Sequence, residues 1–75
     1  MANKTTTGSV TVVRNNGLTV RFEVAGEGLL AILVAEKLQE MVQSPLYNLE
    51  AGNVVVVTSN GAHTVTTLDR ALCAL

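Results

Sequence analysis

Two Asn-Gly pairs, Asn16-Gly17 and Asn60-Gly61, each stand between valine-rich segments, and they narrow the possible folds more than any other feature. Asn and Gly reach the positive φ that tight hairpin turns need, so each pair marks a strand returning along its predecessor. In the first segment Val10, Val12 and Val13 precede Asn15-Asn16-Gly17. Leu18, Val20, Phe22 and Val24 then alternate with Thr19, Arg21 and Glu23. A two-residue loop would oppose Val12 to Arg21 and mix the two faces. A three-residue loop opposes Val12 to Val20, Val10 to Phe22 and Thr11 to Arg21, which keeps one face apolar. The spacing therefore predicts a type I turn with Gly17 left-handed, and it places Val13 on the outer face beside Thr19.

The second segment runs Val54-Val55-Val56-Val57, then Thr58-Ser59 into Asn60-Gly61, and returns over 62–67. Four successive valines suit a strand covered on both faces, either central in the sheet or with one face in a subunit contact. At an open edge such a run would invite aggregation.

Between the hairpins, Gly26-Glu27-Gly28 interrupts the strand pattern. Leu29, Leu30, Ile32, Leu33, Leu38, Met41 and Val42 then recur near helical spacing, which predicts a helix over 27–43. Glu27 would complement the helix dipole, and Pro45 makes Ser44 the boundary. The stretch Leu29–Ala35 is apolar nearly all round, so its outer side is expected to meet another element or another chain. Leu46 and Leu49, in the following connection, are expected to tuck under the sheet. Leu68, Leu72 and Leu75 share one helical side, which predicts a last helical turn capped by Thr67 or Asp69, with a continuing strand as the alternative.

The expected fold class is α+β: a two-layer ββαββ, with an antiparallel sheet of two hairpins packed on one helix and a short C-terminal helical turn. Residues 1–8 read as a flexible N-terminal tail and residues 9–75 as a single domain. The hairpins resemble each other, but without a second copy of the intervening helix they do not read as a repeat.

Composition bears on function. The chain has 75 residues, so its core has little stability to spare and a partner subunit is the natural supplement. Cys73 is the only cysteine, which rules out an internal disulfide and fits a reducing, cytoplasmic setting. Apolar residues make up 48% and charged residues 15%, an imbalance that points to a contact surface. The expected assembly is a homo-oligomer, most simply a dimer, with another protein as a further partner. Candidate interface residues are Val13, Arg21, Tyr47, Val55 and Val57. Five basic residues are dispersed along a chain of net charge −1, and Phe22 and Tyr47 are its only aromatics, which disfavours nucleic acid. No apolar stretch approaches the length of a bilayer span.

No constellation for catalysis is visible. His63, Asp69 and the serines Ser9, Ser44 and Ser59 lie in no nucleophile motif, and Cys73 has no activating neighbour in sequence. Gly26-Glu27-Gly28 lacks the remaining residues of a phosphate loop. No cofactor or metal set is expected. The sequence reads as a non-enzymatic interaction module, an adaptor, inhibitor or assembly subunit acting as a homo-oligomer. The alternative is a small-molecule binding protein with a pocket at the subunit interface, near the helix start and Tyr47.

Overall fold

The computed structural model describes residues 5–73. In chain order the elements are β1 (Thr6–Val13), β2 (Thr19–Gly26), α1 (Leu30–Val42), β3 (Val54–Ser59), β4 (Ala62–Thr67) and α2 (Leu68–Leu72). The strands form one antiparallel sheet in the order β2-β1-β3-β4. With α1 between the hairpins and a short last helix, this is the α+β ββαββ arrangement.

The first hairpin has the three-residue loop. Val12 pairs with Val20, Val10 with Phe22 and Thr11 with Arg21. The Arg14 N–H donates to Leu18 O at 2.9 Å and the Gly17 N–H to Arg14 O at 3.0 Å. Gly17 has φ 85°, a conformation that costs glycine nothing. The second hairpin closes on Ser59 and Ala62, with Asn60 at φ 53° and Gly61 at φ 80°, a two-residue turn of type I′.

β3 pairs with β1 on one side and β4 on the other, so the valine run is central. The inner face carries Val10, Val12, Val24 and Val55. These pack with Val34 and Leu38 of α1 and Leu68 of α2 into one buried core, bordered by Phe22, Leu30, Leu33, Leu49 and Val57. Each such side chain contributes roughly 1.5–3 kcal/mol when fully removed from water.

Several sequence expectations need correction. α1 begins at Leu30, not at residue 27, because Gly28 is at φ 114° and the N-cap Leu29 is extended, with ψ 136°. Glu27 therefore lies outside the first helical turn, which holds no acidic residue. Thr6, Thr7 and Gly8 belong to β1, where they pair with Gly26, Ala25 and Val24. The Thr6 hydroxyl also donates to Gly28 O at 2.8 Å, so residues 6–8 are not a tail. Residues 1–4 of that expected tail, and Leu75, lie outside the described residues. Leu49 borders the core, but Leu46 is 84% exposed, because the turn over residues 45–47 carries it outward.

Each hairpin is followed by a helix. β1 and β3, the first strand of each, are antiparallel neighbours, so an approximate two-fold rotation normal to the sheet relates β1-β2-α1 to β3-β4-α2. The second helix is thus a short counterpart of the first. α1 has 13 residues and lies over β1 and β2, whereas α2 has 5 and sits at one end of β3 and β4. Among the described residues, part of the inner face of the second hairpin is left bare.

Candidate functional site

The outer face of the sheet has no covering layer among the described residues. Alternation along the strands sets Val13, Val54, Val56 and Val65 on this face. Val13 pairs with Val54, Val54 and Val56 are two apart on β3, and Val56 pairs with Val65, so the four are contiguous. Val65 is 68% exposed, Val54 39% and Val13 37%. Thr11, Thr19, Arg21 and Thr67 frame the patch.

Of the candidate interface residues, Val13 and Arg21 lie on this face and are exposed. Val55 and Val57 do not. The register turns both inward: Val55 is fully buried in the core and Val57 borders it. The outward valines of that run are Val54 and Val56. Tyr47 is half-buried in the connection after α1, where its carbonyl accepts a 2.9 Å hydrogen bond from Arg14 Nη1. The buried Arg14 Nε has no hydrogen-bond partner among the described residues. Tyr47 therefore staples the connection to the first hairpin through its backbone carbonyl.

The sheet has two edges of different character. In an antiparallel ladder, alternate residues turn their N–H and C=O toward one neighbour. The two-residue turn closes on the hydrogen-bonded pair Ser59–Ala62, so Thr64 and Thr66 also face β3, while His63 and Val65 turn their backbone groups outward. The non-hydrogen-bonded pair Thr58 and His63 brings its side chains together, with Thr58 Oγ1 2.9 Å from His63 Nδ1. The corresponding outward positions of β2 include Arg21 and Glu23, charges that discourage strand addition. β4 carries no Lys, Arg, Asp or Glu and no proline.

A cleft of about 270 Å³ lies over the bare inner face of the second hairpin. Leu30, Ala31 and Val34 of α1 form one wall and Arg70 and Ala71 of α2 another, above a floor of Val57, Thr64 and Thr66. It adjoins the start of α1, but Tyr47 does not line it, because the connection bearing Tyr47 lies beyond the far end of the helix. The small-molecule site expected at the helix start and Tyr47 is therefore not assembled within one chain.

No family model, curated protein or solved structure matches this chain. Its functional reading rests on these surfaces alone. Cys73 is exposed. Among the described residues no three His, Cys, Asp or Glu side chains converge as metal ligands, and no helix is long and apolar enough to cross a membrane. Asp69 accepts a hydrogen bond from the Thr67 hydroxyl, which holds its carboxyl below the usual aspartate range, with help from backbone N–H groups and the Arg70 charge.

Proposed function

We propose that this chain is a non-enzymatic interaction module that works as a homodimer in a cytoplasmic setting, with the outer face of its sheet as the contact. The uncovered patch of Val13, Val54, Val56 and Val65 carries this reading. Two sheets packing face to face about a two-fold axis would bury the patch of each copy against the other. Arg21 and Glu23 lie on the same face, so one copy's cation can meet the other's carboxylate and the contact stays neutral. The lone thiol, Cys73, supports the cytoplasmic setting.

Molar mass by light scattering over a dilution series, with reductant present, tests this. The expected result is a dimer that Val65→Lys converts to a folded monomer, since Val65 contributes least to its own core. A wild-type chain that stays monomeric up to about 1 mM, a Kd worth only ~4 kcal/mol, would sink the proposal.

A further inference from the structure

We infer that the β4 edge and the cleft beside it form one groove, which captures an extended segment of another protein by strand addition. Two independent features meet there. His63 and Val65 present their backbone N–H and C=O outward, with no strand paired to them among the described residues. The apolar cleft lies on the inner face of that same strand, over Thr64 and Thr66. A strand laid along β4 gains backbone hydrogen bonds from the edge and points every second side chain at the cleft.

The cleft also specifies the occupant. Its walls and floor, Leu30, Ala31, Val34, Val57 and Ala71, are apolar, so an aliphatic side chain fits beside Thr64. Arg70 stands at the α2 end, and its guanidinium has no hydrogen-bond or ion-pair partner among the described residues. For a segment antiparallel to β4, the side chain nearest Arg70 precedes the aliphatic one by two positions. The groove therefore suits an acidic residue, one intervening residue, then Leu, Ile or Val. A second copy of this chain carries that pattern only outside its strands, at Glu27-Gly28-Leu29 before α1 and at Glu36-Lys37-Leu38 and Glu40-Met41-Val42 within it. Its own β4 would offer Thr64 and Thr66 to the inner face, and the inner residues of its β2 already pack in the core. The groove is separate from the outer valine face, so capture and dimerisation are expected to be lost independently.

The probe is the synthetic peptide acetyl-Thr-Glu-Thr-Leu-Thr-Val-Thr-amide, added to the chain with and without Val13→Lys, which charges the outer valine face from β1 and leaves β4 unaltered. Saturable binding with a Kd below about 1 mM is expected. Slowed hydrogen exchange at the His63 and Val65 amides is expected with it, as only strand addition protects those groups. N-methylation of the third and fifth peptide residues, whose N–H groups face β4, should abolish binding. Arg70→Glu should weaken binding about fivefold, the scale of an exposed ion pair, and a Glu→Lys peptide should restore it. Equal binding of the N-methylated peptide, or unprotected His63 and Val65 amides at saturation, would overturn strand addition. Protection of those amides without peptide, rising with protein concentration, would overturn it in favour of β4 pairing between copies.

Discussion

Asn53 Nδ2 hydrogen-bonds Asn15 Oδ1 at 3.3 Å across 38 positions of sequence, and so ties the start of β3 to the turn of the first hairpin. Asn53 is 1% exposed, the one buried polar residue among those described. Its Oδ1 accepts from the Glu50 N–H at 2.9 Å, its carbonyl from the Leu68 N–H at 2.8 Å, and Asn15 Nδ2 donates to Glu50 Oε2 at 2.8 Å. One side chain thus holds the hairpin turn and the connection before β3, while its backbone anchors α2. Asn53→Ala strands the Glu50 N–H and is expected to cost about 1–3 kcal/mol. A lower urea midpoint with an unchanged slope would show it, and an unmoved midpoint would refute it.

Gly8 permits a close approach. A Cβ there would stand 2.9 Å from Leu30 Cδ1 and 3.2 Å from Thr58 O. The leucine tip must shift to make room, and the carbonyl of the neighbouring strand keeps the new methyl from moving away from it. Gly8→Ala should destabilise by roughly 1 kcal/mol, and less when Leu30→Ala is also present. Additive losses in the double variant would show that the leucine is not the obstacle.

The Thr67–Asp69 pair gives a pH signature. A depressed folded-state pKa stabilises the fold above the carboxyl's unfolded pKa, and that stabilisation disappears as pH falls through the folded value. Thr67→Val removes the first cause and should move Asp69 up toward the usual aspartate range. Carboxyl NMR titration reads this directly, and superimposable curves would discard the hydrogen bond as the cause.

Leu38 and Leu46 make a matched pair. Leu38 is fully buried and Leu46 is 84% exposed. Leu38→Ala should cost about 2–5 kcal/mol, and Leu46→Ala should fall within about 0.5 kcal/mol of wild type. Comparable thermal midpoints for the two variants would contradict the packing described.

The local features of this fold were legible, and the non-local ones were not. Alternation of Val20, Phe22 and Val24 with Thr19, Arg21 and Glu23 allowed only one register for the first hairpin. Asn60-Gly61 marked the second turn. The faces of the second hairpin could not be read, because valine occupies both sides of β3 and no polar residue betrays the parity. Only pairing with β1, whose inner row is Val10 and Val12, sends Val55 and Val57 inward. Nothing local announces that β1 lies beside β3, so the cleft that α2 helps to enclose was invisible too. The start of α1 was missed because a glycine run marks a break without showing where positive φ falls within it.

The seam between β1 and β3 also bears on how fast the chain finds its fold. Each hairpin closes over a short loop, whereas Val12 meets Val55 only after the whole α1 segment has been gathered in. Long closures lose more chain entropy before any contact offsets it, so the seam is expected to be the slow step. Val55→Ala should then slow folding, while Leu72→Ala, at the periphery, should chiefly hasten unfolding. Stopped-flow chevrons with the two effects reversed would place the barrier elsewhere. A pace set at the seam leaves the facing edges of β1 and β3, the run of four valines among them, unpaired in every molecule still waiting to close.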